Sequence, residues 1–232
     1  MESALLISLT VAALFVASFL LGSIPWGVII SRVFYHTDIR EHGSGNIGTT
    51  NAMRTMGKVG GGAVFLLDFG KGLASGALAL AALWFLAPGG GLSPEPGSLT
   101  AQIATYDNLV CLAFLGCILG HIFSPWLGFK GGKGVAVAVG CLFVTVGPVW
   151  TVVEILAFAL VTIATRYVSA GSLTAAVLCP FIAAYLFLFV DFAPLSFALC
   201  LAGAVVVIWA HRGNIERLRA GTERRIGDKK KD

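Results

Sequence analysis

The sequence predicts an all-α polytopic membrane protein of about seven transmembrane helices, N-terminus outside and C-terminus cytoplasmic. Three observations carry this. The 232-residue chain is 57% apolar and 12% charged, with a mean hydropathy of +0.87, whereas soluble domains carry about 25% charged residues. Its apolar runs are long and do not alternate with polar residues, so spanning helices are favoured over the strands of a barrel. Its basic residues are also one-sided. When the runs are laid end to end, 15 of the 16 Lys and Arg fall on one face, and only Lys71 lies inside a run. The positive-inside rule makes that face cytoplasmic. Residues 1–232 then form a single membrane domain with a basic cytoplasmic tail from about Arg224.

The first span is 5–30. It lacks a basic leader and exceeds the short apolar core of a signal peptide, so it reads as a mature helix. Gly22-Ser23-Ile24-Pro25 near its end predicts a kink whose freed backbone groups need partners. Residues 32–58 are polar. The second span, 60–87, carries Asp68 and Lys71, and a Gly/Pro/Ser-rich loop without Lys or Arg follows at 88–107. The third span, 108–127, ends at the hexad Phe129-Lys130-Gly131-Gly132-Lys133-Gly134. The next run is short from 135 to 147, and reaches about 20 residues only if the helix continues past Pro148 to Glu154. Residues 155–165 then return to Arg166, 173–190 go out and 193–210 come back. Opposite termini require an odd count: seven, or five if the 135–165 region and another short piece re-enter. Cys111, Cys117, Cys141, Cys179 and Cys200 all lie in apolar runs without a C-x-x-C pair, and read as reduced packing residues.

Three polar clusters end on the cytoplasmic face. In the hexad, glycines let backbone N–H groups crowd an anion, lysines add charge, and the following helix offers its N-terminus. The spacing is not that of a soluble nucleotide-binding loop. In the first cluster, Gly43, Gly45 and Gly48 interleave with Ser44, Asn46, Thr49, Thr50 and Asn51, and Arg54 lies one helical turn past Thr50. The third cluster, 211–223, contains His211, Asn214, Arg217 and Glu223, which attraction of a basic tail to anionic lipid does not explain. Asp68 and Lys71, spaced i, i+3, are expected to pair on one helix face and support the site. His36 and His42 read as solvated or local donors. No zinc spacing and no serine-nucleophile elbow is present, so no metal site is expected.

Together, Gly43-Ser44-Gly45-Asn46-x-Gly-x-Thr-Asn51-x-x-Arg54, Gly120-His121 with the hexad and Val135, and His211-Arg-x-Asn214-Ile-x-Arg217-Leu-x-x-Gly221-Thr-Glu223 closely resemble the bacterial acyl-phosphate-dependent glycerol-3-phosphate acyltransferase family. Gly22-Ser23-Ile24-Pro25 and Asp68-x-x-Lys71-Gly72 are similar to that family too. Two departures stand out: Val137 where the family's Thr is expected, and a longer Gly/Pro loop around 89–97.

The resemblance implies transfer of a fatty acyl group from acyl phosphate to the 1-hydroxyl of sn-glycerol 3-phosphate. The products would be lysophosphatidic acid and phosphate, the first step of phospholipid synthesis. It implies no cofactor, no nucleic acid, a place in the bacterial inner membrane, and functional coupling to the enzyme that makes acyl phosphate. On this reading Ser44, Arg54, Lys133, His211, Asn214 and Glu223 are the candidate catalytic residues. Gly43, Gly45, Asn46, Thr50, Asn51, His121, Lys130, Gly131, Gly132, Gly134 and Arg217 are the candidate substrate-binding residues. Two phosphates need two cradles: Ser44, Asn46 and Arg54 for one, Gly131, Gly132 and Lys133 for the other. The proton acceptor is left between His211, His121 and the substrate's own phosphate. A transporter for an anionic phosphorylated metabolite is the alternative, given intramembrane Asp68 and Lys71. A lipid-binding scaffold explains only the tail. The clustering of polar motifs at one face favours the enzyme.

Overall fold

The computed structural model describes residues 2–86, 94–95 and 97–228. Much of the loop expected at 88–107, including its 89–93 stretch, and Lys229–Lys231 of the tail lie outside the described residues. Among the described residues all regular structure is helical.

Helices α1 (Glu2–Ser23) and α2 (Trp26–Tyr35) form the first span and separate at Ile24-Pro25, because Pro25 has no N–H to continue the ladder. The carbonyls at this break find protein partners. Ser23 O accepts from Ser124 Oγ at 2.7 Å, and Ile24 O accepts from Lys71 Nζ at 2.9 Å. A 3-10 turn at Ile39–Glu41 leads to α3 (Thr49–Leu86), which is broken at Gly57 (φ 73°, ψ −172°) so that a short polar helix precedes the span proper. The short α4 (Leu99–Ile103) precedes α5 (Tyr106–Ile122), which ends in the 3-10 turn Pro125–Leu127. Then come α6 (Val135–Thr145), α7 (Gly147–Thr165), α8 (Val168–Ala184) with a π-helical end at Tyr185–Val190, α9 (Pro194–Ala210) and α10 (Arg212–Arg219).

Five stretches are long and apolar enough to cross a bilayer: Ala4–Tyr35, Thr49–Leu86, Tyr106–Leu127, Gly147–Thr165 and Val168–Val190. Pro194–Ala210 with Arg212–Arg219, bent by 52°, makes a sixth if taken as one span. The eleven residues of α6 rise only about 16 Å at 1.5 Å each, roughly half of a hydrocarbon core of about 30 Å. The length argument carries this helix to Glu154; the structure ends it at Thr145. Gly147 takes a left-handed φ of 83° and Pro148 opens α7, so Glu154 belongs to the next helix.

Helix α5 is the axis of the bundle. Twelve of its residues, from Asn108 to Ile122, are buried against α1, α3, α6 and α9. Glycines set the closest crossings. A Cβ on Gly120 would strike the Phe19 carbonyl of α1, and one on Gly22 would strike the Cys117 carbonyl of α5. Gly72 and Gly140 do the same between α3 and α6, meeting Val137 O and Phe69 O. Backbone-to-backbone approach of this kind is how helices gain contact where lipid removes the hydrophobic drive to associate. The outer faces carry exposed Leu66, Leu160, Ile163 and Phe181, as expected of surfaces that meet acyl chains. All five cysteines are free and buried, with Cys111 and Cys200 packed Sγ to Sγ at 3.5 Å between α5 and α9.

Gly120→Ala should push α1 from α5 and destabilise the fold by about 1–3 kcal/mol, lowering the thermal midpoint of the detergent-solubilised protein. Gly70→Ala, where nothing lies within 4 Å of the added carbon, should not lower it.

Candidate active site

The site begins beneath the surface. Lys71 Nζ has three neighbours within 3.0 Å: Asp68 Oδ1 one turn away, Ile24 O at the α1–α2 break, and His121 Nδ1 near the end of α5. Lysine is only a donor, so His121 Nδ1 accepts and its proton sits on Nε2. All three side chains are buried. The His121 ring faces the hexad, and a Cβ on Gly132 would strike its Nε2.

The hexad turns back along the end of α5. Gly128 and Phe129 take left-handed φ values of 59° and 62°, and the segment that follows bonds to the helix end. Gly131 N donates to Ile122 O and Gly132 N to His121 O, both at 3.0 Å. This corrects the reading of Gly131 and Gly132 as phosphate donors: their N–H groups are already spent. They are glycines because side chains there would collide with the His121 carbonyl and ring. Positive charge and an uncapped helix start lie further along, at Lys133 and at the N-terminus of α6, where Gly134 (φ 80°) is the N-cap and offers no side-chain cap to the first turn. Lys130 is exposed.

Lys133 reaches across to α10, where its ammonium donates to Asn214 Oδ1. Asn214 Nδ2 donates to Glu223 Oε1 at 2.7 Å, and Arg217 Nε donates to Glu223 Oε2 at 2.7 Å. His211, at the α9–α10 bend, is buried. Its Nδ1 donates to Val207 O at 2.8 Å, so the neutral ring keeps its lone pair on Nε2. Arg54 lies within electrostatic range of Lys133, Arg217, Glu223 and Arg224, yet makes no ion pair among the described residues. Five residues from three distant segments thus gather around one carboxylate. Burial, helped by the repulsion of Arg217 and Arg54 and opposed by Glu223, pulls Lys133 down to about 8. Burial pushes Glu223 up, but the hydrogen bonds from Asn214 and Arg217, with the Ser169 hydroxyl close by, outweigh it and hold the carboxyl below its ordinary value.

The 39–51 loop is built differently from a simple ligand cradle. Asn51, buried at the start of α3, is its hub. Nδ2 donates to Ile39 O, His42 O and Asn46 O at 2.8–3.1 Å, and Oδ1 accepts from Ser44 N at 2.9 Å. Gly43 (φ 63°) leaves room for Oδ1, and Asn46 Oδ1 accepts from Gly48 N at 2.9 Å. Asn51 and Asn46 are therefore occupied in shaping the turn. Ser44 and Gly45 present its outer surface, Ile47 is turned into the core, and Thr50 sits half-buried in the first turn of α3. Two residues that motif reading passes over also belong to the site. Asp38 pairs with Arg32 at 2.8 Å and Arg40 at 2.6 Å, bracing the loop from α2. Ser169, in the first turn of α8, faces Glu223. A carboxylate between two arginines in 32–40 was the signal for the first; nothing local marks the second.

A family model described as glycerol-3-phosphate acyltransferase matches residues 12–221. A glycerol-3-phosphate acyltransferase of Thermosynechococcus vestitus is 41% identical over 210 residues, covering 90% of this chain and 92% of that protein. One from Rhodopseudomonas palustris (strain BisB5) is 40% identical over 225 residues, covering 97% and 100%. Among solved structures, PlsY (YgiH), an integral membrane glycerol 3-phosphate acyltransferase, superposes in its glycerol 3-phosphate form with a TM-score of 0.75 at 31% identity, covering 94% of this chain and 96% of that one. Its lysophosphatidic acid form gives 0.73 at 30%.

Asn51→Ala removes four hydrogen bonds at once and should loosen the 39–46 loop by about 2–4 kcal/mol locally, seen as faster backbone hydrogen exchange confined to that loop. Ser44→Ala should leave the exchange pattern as it is.

Proposed function

Because the chain belongs to the glycerol-3-phosphate acyltransferase family, we propose that it transfers a fatty acyl group from acyl phosphate to the 1-hydroxyl of sn-glycerol 3-phosphate. The hydroxyl oxygen attacks the acyl carbonyl carbon, the carbon–oxygen bond to phosphate breaks, and inorganic phosphate leaves with the electron pair. Lysophosphatidic acid is the second product. The observation that carries this reading is the gathering of Arg54, Lys133 and Arg217 around Glu223, beside the unencumbered lone pair of His211.

Both substrates carry phosphate, so a site with more cations than carboxylates, where Arg54 and Lys133 make no ion pair among the described residues, suits them. Arg54 and the outer surface of the 43–50 loop take one phosphate; Lys133 and the α6 N-terminus take the other. A mixed anhydride is already activated, so alignment and stabilisation of the developing oxyanion supply most of the rate. The hydroxyl proton passes to a phosphate oxygen, while His211 Nε2 accepts from the hydroxyl and holds it in line. Glu223 and Asn214 keep the Lys133 ammonium aimed. His121 supports the hexad from below. The one-sided basic residues support a cytoplasmic face in a bacterium, with the site at the inner-membrane surface and the N-terminus outside. The acyl tail lies between helices, open to the bilayer.

Purified protein should release phosphate and form lysophosphatidic acid one-to-one from acyl phosphate and glycerol 3-phosphate, and should not use acyl-CoA. A folded, inactive protein would sink the proposal. Arg54→Ala and Lys133→Ala should each cost on the order of 10²–10³ in kcat/KM with an unchanged thermal midpoint. Lys133 binds phosphate as an ammonium, so kcat/KM should fall as pH rises through about 8. Glu223→Gln removes the attraction that retains the Lys133 proton and should move that limb to lower pH; a limb that stays put would remove Lys133 as its origin.

A further inference from the structure

The last described residues do not trail away from the site. Gly221 (φ 67°) ends α10, and Thr222 N and Glu223 N cap it by donating to Arg217 O at 2.8 and 3.2 Å. Three residues later the chain is held again, at the α7–α8 turn. Ile226 N donates to Arg166 O at 2.8 Å, and the Arg166 guanidinium donates back to Ile226 O from Nε at 3.1 Å and from its terminal nitrogen. Arg225 Nε donates to the Tyr167 hydroxyl at 3.0 Å, its guanidinium lies 5.1 Å from the centre of that ring, and Asp228 Oδ2 accepts from Arg225 N at 2.7 Å. Arg166 itself takes a left-handed φ of 64°, which turns its carbonyl out of α7 toward Ile226. Arg225, Ile226 and Asp228 lie beyond the 12–221 match, whereas Arg166 and Tyr167 lie within it.

We propose that Arg166 and Tyr167 are positioning residues: by clamping the chain at Arg225 and Ile226 they hold Glu223 on Asn214 and Arg217, and so hold Lys133 in place. With both ends pinned, the connecting backbone spans at most about 10 Å and has little slack. Glu223 is then carried by a bridge between two elements, α10 and the α7–α8 turn. The same turn delivers Ser169 to the Glu223 carboxyl. Without the clamp only the α10 side remains, and Glu223 is free to swing out to water, away from Asn214 and Arg217, which stay on α10.

The groups that bear on Lys133 are Arg54 from α3, Asn214 and Arg217 from α10, His211 from the bend, and Glu223 from the bridge. Of these, Glu223 is the one attached to the clamp, so displacing it shifts the balance around Lys133 one way only.

The inference rests on the proposed roles of Lys133 and Glu223, and the test separates the two. Arg166→Ala, Arg166→Lys, Tyr167→Phe, Glu223→Gln and the double variant Arg166→Ala/Glu223→Gln are compared as purified full-length proteins by kcat/KM against pH. Arg166→Ala should lose on the order of tenfold in kcat/KM and move the alkaline limb to lower pH, as Glu223→Gln does. In the Glu223→Gln background it should cost nothing more. Arg166→Lys, which keeps a donor for Ile226 O, should recover part of the loss, and Tyr167→Phe should give a smaller change in the same direction. Losses that multiply in the double variant, or an Arg166→Ala limb that does not move, overturn the clamp while leaving the site intact. A Glu223→Gln protein with wild-type activity and limb overturns the site reading itself, and the clamp falls with it. Should Arg166→Ala fail to fold, Arg166→Gln carries the same comparison.

Discussion

One buried ammonium holds the pieces of this bundle in register. Lys71 Nζ has three protons and three close neighbours, drawn from the α1–α2 break, from α3 and from α5. An intramembrane charge costs a few kcal/mol to insert on translocon scales, and an unpaired one would not persist. Asp68 neutralises it, at 3.0 Å though off hydrogen-bond alignment. Ile24 O needs a donor because the helix is broken there. His121 supplies a lone pair and in return has its ring fixed. Each group therefore solves a problem that another creates, and removal of any one strands the rest. The consequence reaches the surface, because Gly131 and Gly132 lie on His121 and Lys133 follows directly.

Much of this arrangement is legible in the sequence, and the legible parts are local. Asp68 and Lys71 are three apart and pair. Gly22-Ser23-Ile24-Pro25 is a break because proline cannot donate. The fold class follows from the scarcity of charge. What sequence cannot give is where a donor goes once the chain has folded. The glycines of the hexad invite the reading that their N–H groups face a ligand, but a glycine is equally required where two backbones touch. Here the backbone of 121–122 takes those hydrogen bonds. Asn51 is similar: its amide suits a phosphate, and four backbone groups of its own loop claim it first.

The other losses have the same cause. Gly147-Pro148 is a strong helix boundary, yet a rule of span length reads through it, because length is counted against a bilayer that a short helix does not have to cross when it packs on α3 and α5 instead. Arg166 reads as one more basic residue at a cytoplasmic turn. Its partner, Ile226, lies 60 residues away, and the contact uses a backbone carbonyl that no motif can display.

The cluster around Glu223 carries a surplus of positive charge, and this supports its proposed role. Arg54, Lys133 and Arg217 share one carboxylate, and the low value of Lys133 records burial plus the repulsion of its neighbours. A structural ion-pair network would balance its charges, as Asp68 and Lys71 do. Here the surplus is kept: Asn214 Oδ1 accepts from the ammonium and is itself held by Glu223, which fixes the direction of the ammonium without cancelling the charge of the group. Repulsion accepted in the free protein is returned when a phosphate arrives, and because the cations are already aimed, little reorganisation accompanies binding. The geometry also sets a limit. One carboxylate is enough to keep the cations together, whereas a second would cancel the surplus, and on the proposed function that surplus is what an incoming phosphate completes and then leaves.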